Sequence, residues 1–259
     1  MQKNLFSTVV FILALIIAFA IWWFILGDPA NFKDGEGRHQ PINLLGTIFV
    51  GGYFVPVLIM LSILVITFVF ERIFSLGKAK GKGNMATFIR DIQRHLDSGK
   101  IDEAIKTCDR QRGSLANIVK TGLERYQAIA REGKGWEAEK QMAEVQRSIE
   151  EATSLELPVL ERNLIVLSTI ASIATMVGLL GTTVGMIRAF RALAHAGAPD
   201  AIQLSIGISE ALVNTAFGLF AAITGIVAYN FFVNKVDTFT YMIDEAGYNI
   251  VQTLMTKSK

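Results

Sequence analysis

The chain has 259 residues, of which 51% are hydrophobic and 19% are charged, and its formal net charge is +2. Soluble domains average about 25% charged residues, so this composition is too apolar for one soluble domain. A single cysteine excludes a disulfide-stabilised secreted domain, and the small, dispersed net charge argues against a nucleic-acid-binding protein. Most of the charges fall in residues 71–158, which predicts one soluble block inside a membrane protein.

Four stretches are long and apolar enough to cross a membrane: 5–26, 53–70, 163–187 and 201–234. In lipid every backbone polar group must be bonded internally, so all four are predicted as helices. The first stretch could instead be a cleaved leader with Ala18-Phe19-Ala20 as its cleavage site. Because Ile21–Leu26 stays apolar beyond that site, we expect a retained anchor.

Residues 41–52 precede the second span and allow two interpretations. The Gly51-Gly52 pair indicates a helix break, which favours a short helix at the membrane surface and a span starting near Tyr53. The alternative is one long tilted span that begins at Ile42.

Basic residues predict the orientation of the chain. A cluster follows the second span closely: Arg72, Lys78, Lys80 and Lys82. The positive-inside rule therefore places this side and both termini in the cytoplasm. Arg188 and Arg191 oppose the rule at the outer end of the third span. Either that helix extends beyond the bilayer, or a partner supplies an acidic group.

The predicted fold is an all-α integral membrane protein with four transmembrane helices and a helical cytoplasmic domain between spans 2 and 3. The four transmembrane helices are predicted at 1–26, 53–70, 159–194 and 201–235. An outer (periplasmic) loop with an interfacial helix is predicted at 27–52. The cytoplasmic parts are the helical domain at 71–158 and a C-terminal tail at 236–259.

The cytoplasmic block carries apolar residues at helical spacing. One helix is predicted to stop at Gly99, and a second carries Cys108 on its apolar face, where a buried structural thiol is favoured over a reactive one. A further helix over Trp136–Leu155 could continue into the third span, where Pro158 would kink it.

Common catalytic and metal-binding patterns are missing from the sequence. His39, His95 and His195 are far apart, so we expect no metal site. The glycine-rich segment 178–185 lacks the lysine of a phosphate loop and lies inside an apolar span. We therefore expect no enzyme activity and no cofactor.

Polar residues distinguish the last two spans from the first two. Hydroxyls and glycines recur along both, and Gly181 with Gly185 permits close helix approach. Simple helix packing is the alternative explanation for most of them. Glu210 differs because a carboxylate in hydrocarbon is costly unless it faces water or a partner, which favours a functional role. Asn214 shares its helix face, whereas Thr215 lies about 140° around the helix.

Two motifs in these spans carry a family resemblance. Residues 178–190, GLLGTTVGMIRAF, look like the GLLGTVxGMxxxF signature of the ExbB/TolQ/MotA family, and residues 208–219, ISEALVNTAFGL, resemble its companion IxEALxxTAxGL. Glu71-Arg72 after a span also fits. The resemblance covers about 53–235 and is closer to ExbB and TolQ than to MotA.

The resemblance implies a proton-channel subunit of a Gram-negative inner-membrane motor that converts proton-motive force into mechanical work for TonB- or Tol-dependent outer-membrane processes. It implies a homopentamer around two copies of a single-span ExbD/TolR-like partner, acting on a TonB-like protein. By motif, Thr182, Glu210 and Thr215 correspond to the family's polar pore residues.

Three features depart from the family pattern. Ala174-Thr175 stands where the family often has Ala-Pro, Thr183 replaces a valine, and the first span is extra to the common three-span plan. Two other functions are left open: a non-conducting membrane scaffold whose Glu210 only pairs with a cation, and a flagellar or gliding stator. We expect spans 3 and 4 to line a shared cavity, because an isolated chain would leave Glu210 facing hydrocarbon.

Overall fold

The computed structural model describes residues 2–38, 40–132, 137–194 and 200–257. Within these ranges the chain forms helices and no strand, which confirms the all-α prediction. The helices are α1 Gln2–Ala20, α2 Leu44–Val50, α3 Phe54–Lys80, α4 Met85–Asp97, α5 Ile101–Gln111, α6 Ser114–Glu132, α7 Ala138–Glu161, α8 Leu164–Ala194 and α9 Ala201–Lys257. Four helices are long and apolar enough to cross a membrane, as predicted.

The first span does not keep α-helical geometry to its end. After Ala20 the span continues as a π-helix over Ile21–Leu26, and this segment contains three aromatic residues, Trp22, Trp23 and Phe24. The Trp22 ring stacks on Phe49 of α2 with 4.8 Å between ring centroids. This contact ties the first span to the short helix before the second span.

The chain breaks between α2 and α3, where the glycine pair indicated a turn. Gly52 has a φ of +75°, a conformation that glycine adopts without strain. Two helices therefore replace the alternative of one long span from Ile42.

The junction between α7 and α8 lies later than the position of Pro158 suggested. Pro158 sits inside α7, and the helix ends at Glu161. Asn163 then takes a left-handed φ of +60°. Arg72 is fully buried and donates through Nη1 to the Leu160 carbonyl oxygen at 3.2 Å, which satisfies an acceptor at the helix end. Trp136, the expected start of this helix, lies outside the described residues.

The last helix is longer than the predicted span. The sequence separated a span at 201–235 from a tail at 236–259, whereas the structure has one helix over Ala201–Lys257. The part beyond residue 235 keeps an apolar face: Val236, Phe239, Ile243, Ala246, Ile250 and Leu254 are all buried. Burial of that face stabilises the helical continuation.

The chain divides into two compact units. One contains the residues up to Phe70 together with Leu164–Asn230, and the other contains Glu71–Asn163 together with the residues from Phe231 onwards. In the second unit Cys108 is buried, as predicted. Burial, followed by the nearby Asp109 charge, raises the pKa of its thiol to about 12.

Candidate functional site

Close contact between α8 and α9 builds the site. A Cβ at Gly185 would lie 2.7 Å from both the Ala211 nitrogen and the Gly207 carbonyl oxygen. A Cβ at Gly218 would lie 2.7 Å from the Ala174 carbonyl oxygen. Only hydrogen fits at these positions, so the glycines let the two backbones touch as small residues do in membrane helix pairs.

Glu210 lies inside this helix pair and is only 1% exposed. Nη1 of Arg188 on α8 donates to its Oε1 at 2.8 Å and to its Oε2 at 2.7 Å. The arginine side chain is 50% exposed, so one end of the ion pair is enclosed and the other is accessible. The expectation that an isolated chain leaves Glu210 facing hydrocarbon is therefore wrong, because the chain supplies its own counter-charge.

The α2–α3 turn closes over the same carboxylate. A Cβ at Gly52 would lie 2.7 Å from Glu210 Oε1, so the glycine allows the backbone to approach. Nδ2 of Asn214, one turn further along α9, donates to the Gly51 carbonyl oxygen at 2.9 Å. Oδ1 of Asn214 is buried and has no hydrogen-bond donor within the described part of the chain. The turn and α9 are thus joined by a polar contact beside Glu210.

Thr182 and Thr215 meet on another side of α9. Their hydroxyl oxygens are in direct hydrogen-bond contact, and both side chains are half-buried. The Thr182 hydroxyl also lies 3.4 Å from the carbonyl oxygen of Ala211, the residue after Glu210. This places the hydroxyl pair about one helical turn from the ion pair.

The three predicted site residues therefore form two neighbouring features. Thr182 and Thr215 form one contact, and Glu210 belongs to another with Arg188. In the sequence Arg188 stood out as an exception to the charge rule, and its pairing with Glu210 was not predicted. A signal was present, because a carboxylate buried in an apolar helix needs a partner of opposite charge and Arg188 is near it in the chain.

Metal-ligating side chains do not gather among the described residues. Within 2–38, 40–132, 137–194 and 200–257, no three His, Cys, Asp or Glu side chains are grouped so that they could hold a metal ion. His39 and His195 lie outside these ranges.

Comparison with known proteins places these motifs in a family. Residues 110–245 match the model of the MotA/TolQ/ExbB proton channel family. The chain is 36% identical over 118 residues to the Tol-Pal system protein TolQ of Pseudomonas aeruginosa, which is 46% of this chain and 51% of that protein. It is 42% identical over 84 residues to TolQ of Haemophilus influenzae, or 32% of this chain and 37% of that protein.

A third relative carries a different name. Biopolymer transport protein ExbB of Aquifex aeolicus is 39% identical over 77 residues, which covers 30% of this chain and 52% of that protein. The chain thus matches about half the length of these relatives, or less. Because the family model covers more than half of the chain and includes α8 and the membrane part of α9, this multi-pass membrane protein belongs to the MotA/TolQ/ExbB proton channel family.

Proposed function

We propose that this protein is a proton-conducting subunit of an inner-membrane motor that converts proton-motive force into mechanical work for Tol- or TonB-dependent outer-membrane processes. The observation that supports this most directly is the Glu210–Arg188 ion pair, enclosed at the carboxylate and open at the guanidinium. Family membership supports the same function.

The ion pair suggests how a proton is taken up. A carboxylate this deeply buried needs either a cation or a bound proton to neutralise it. Arginine keeps its charge throughout the accessible pH range. Since Arg188 is half exposed and Glu210 is enclosed, the arginine is the group that can move away. In the proposed cycle a proton and Arg188 therefore alternate as partners of Glu210.

Neighbouring polar groups support transfer of that proton. A protonated Glu210 must donate its hydrogen, and the Asn214 Oδ1 acceptor lies one turn along the same helix face. A hydroxyl can donate and accept at once, so the Thr182–Thr215 pair can pass a proton onward. We assign Glu210 as the proton carrier and the two threonines as the adjoining relay.

Assembly follows the pattern that the resemblance implies. We propose a homopentamer in the inner membrane of a Gram-negative bacterium, around two copies of an ExbD/TolR-like single-span partner and acting on a TonB-like protein. Its cytoplasmic parts are 71–158 and 236–259, and the loop at 27–52 is periplasmic. The names of the relatives, a Tol-Pal system protein and a biopolymer transport protein, support this class of load.

Proton flux into vesicles tests the function. The full complex is reconstituted with a pH-sensitive dye, and Glu210→Gln and Thr182→Val are compared with the wild type. We expect both to abolish flux while assembly is retained, because each keeps side-chain size and removes a titratable group or a hydroxyl. Thr224→Val is the matched control, since the Thr224 hydroxyl bonds the Phe220 carbonyl oxygen within α9. Full flux in Glu210→Gln would contradict the proposal.

The same ion pair also favours the second candidate, a non-conducting scaffold held together by charge. In that case the neutral double variant Arg188→Gln/Glu210→Gln would keep its function. Collapse of the proton gradient would also leave the function of the wild-type protein unchanged. A motor would stop under both conditions.

A further inference from the structure

A cavity of about 590 Å³ lies in the second unit, whereas the residues of the proposed proton site belong to the first. The end of α3, the α5–α6 turn and α7 surround it. Its wall includes Gly77, Lys78, Lys82, Arg112, Ser114 and Glu156. The function proposed above uses none of these residues.

The N-terminus of α6 opens into this cavity with unsatisfied donors. The first intrahelical bond of α6 runs from the Asn117 nitrogen to the Gly113 carbonyl oxygen. Among the described residues no acceptor bonds the N–H groups of Ser114, Leu115 and Ala116, although these residues are only 5%, 3% and 1% exposed. Buried helix ends of this kind are normally satisfied by a side chain, water or a ligand.

Ser114 supplies a second, independent indication. It lines the cavity while 95% of its surface is buried, and within the described ranges its hydroxyl has no hydrogen-bond partner. The hydroxyl oxygen itself is open to the cavity, so it can bond a ligand there. Of these groups, the N–H and the hydroxyl of Ser114 belong to a residue that lines the cavity, and two donors at a helix start are suited to an anion.

The charges around the cavity favour an anion as well. Lys78, Lys82 and Arg112 line it, and none of them forms an ion pair in the described part of the chain. Glu156 is the opposing charge, and it accepts a hydrogen bond from Nδ2 of Asn117 at 3.2 Å. The net charge of these four side chains is +2.

Two glycine turns fix the shape of the cavity. Gly81 and Gly113 both have positive φ, and their backbones touch. A Cβ at Gly81 would overlap the Arg112 carbonyl oxygen, and one at Gly113 would overlap the Ala79 carbonyl oxygen. The Lys82 nitrogen also donates to the Gln111 carbonyl oxygen at 2.7 Å. The basic side chains are thus attached to a defined backbone frame.

We propose that this cavity binds a phosphate group, with the N–H and the hydroxyl of Ser114 as donors and Lys78, Lys82 and Arg112 as the charge partners. The phosphate can belong to free inorganic phosphate or to an anionic phospholipid headgroup. The second source is reasonable because Lys78 follows the apolar stretch of α3 by eight residues, about 12 Å of helix.

The test uses full-length protein in nanodiscs of phosphatidylcholine. One arm titrates inorganic phosphate by calorimetry. The other adds phosphatidylglycerol and measures its retention on the protein by native mass spectrometry. Gly77→Glu places a carboxylate at the wall, where a new Cβ meets nothing within 4 Å, and Gly77→Gln is its neutral control. Lys78→Gln/Lys82→Gln removes two charges, and Lys80→Gln is the matched control outside the wall.

Binding in either arm is expected to weaken about tenfold or more in Gly77→Glu and in the double lysine variant. The two controls should stay within about twofold of the wild type. Saturable phosphate binding identifies the free anion, and phosphatidylglycerol retention that phosphate does not reverse identifies the lipid. No saturable binding in either arm, or equal losses in the control variants, would overturn the proposal.

Discussion

Arg188 on α8 and Glu210 on α9 form an ion pair within one chain, with one guanidinium nitrogen 2.8 and 2.7 Å from the two carboxylate oxygens. The arginine that opposed the positive-inside rule therefore has a local partner. The pair forms where Gly185 and Gly207 bring the helix backbones together. Helix contact and charge neutralisation are thus linked at this site.

The turn over Glu210 gives the first prediction. Gly52→Ala is expected to displace the carboxylate, because the new methyl group would lie 2.7 Å from Oε1. We expect loss of proton flux and a lower melting temperature. Gly35→Ala is the control, since Gly35 also has positive φ but a Cβ there meets nothing within 4 Å. Gly35→Ala should show backbone strain alone, about 1–3 kcal/mol, and retain flux. Equal flux in the two variants would show that the turn does not position Glu210.

The α8–α9 contact gives the second prediction. Gly185→Ala should destabilise the protein by about 1–3 kcal/mol, because the added methyl group meets backbone atoms of α9 at 2.7 Å and neither helix can yield locally. Gly77→Ala is the matched helical control. Its Cβ meets open space, so it should stabilise α3 by up to about 1 kcal/mol. Thermal unfolding in detergent measures both variants, and a stable Gly185→Ala would contradict the close contact.

The sequence predicted the helices better than the contacts between them. Apolar length and period are local properties, so the four span-length helices were predicted from them, and the glycine pair favoured a break at Gly51-Gly52 over one long span. Pro158 lies inside α7 and does not end the helix, because a proline can remain in a helix when other groups satisfy the freed acceptors. Here the end of α7 is set by Asn163 and by the buried Arg72, which is 88 residues from Leu160 in the chain.

The site was predictable only in part, for a related reason. Motif resemblance selected Thr182, Glu210 and Thr215, and helix geometry separated Glu210 from Thr215. The pairing of Glu210 with Arg188 depends on the register of α8 against α9, which glycine contacts set and the helical period does not. The bond from Asn214 to the Gly51 carbonyl oxygen spans 163 residues and has no local signal.

Cys108 gives the third prediction. Because burial raises the pKa of its thiol to about 12, the folded protein should react very slowly with maleimide or iodoacetamide at pH 8 and rapidly once unfolded. The unfolded thiol ionises first, so the stability contributed by this group is complete below pH 9 and falls as the pH rises toward 12. Cys108→Ala should remove the alkaline dependence that this thiol causes. Fast labelling at pH 8 without loss of structure would show that the thiol is accessible.

The orientation of the chain gives the fourth prediction. Single cysteines at Asp34 and Lys100, in a Cys108→Ala background, should react with a membrane-impermeant reagent from opposite sides of the membrane. The expected result is external labelling at 34 and internal labelling at 100, because exposed Lys78, Lys80 and Lys82 follow the second span. External labelling at both positions would rule out the proposed four-span topology.

The last prediction separates contacts within a subunit from contacts between subunits. The hydroxyls of Thr182 and Thr215 touch inside one chain, so cysteines at both positions, with Cys108→Ala, should form an intrachain disulfide under mild oxidation. The product should run as a monomer on a non-reducing gel and should lose free thiols. Thr183→Cys/Thr215→Cys is the control, because Thr183 is exposed and its hydroxyl bonds the Leu180 carbonyl oxygen instead.

Single cysteines extend this experiment to the assembly. If α8 and α9 line a shared cavity, single cysteines at 182 and 215 should link to a neighbouring chain or to a partner helix once the intrachain reaction is impossible. A cysteine at Leu13 should not link because the first span is proposed to face lipid, and one at Leu64 should not link because Leu64 is buried within its own chain. Efficient links at 13 and 64, with none at 182 and 215, would place the first two spans at the centre and contradict the proposed arrangement of the motor.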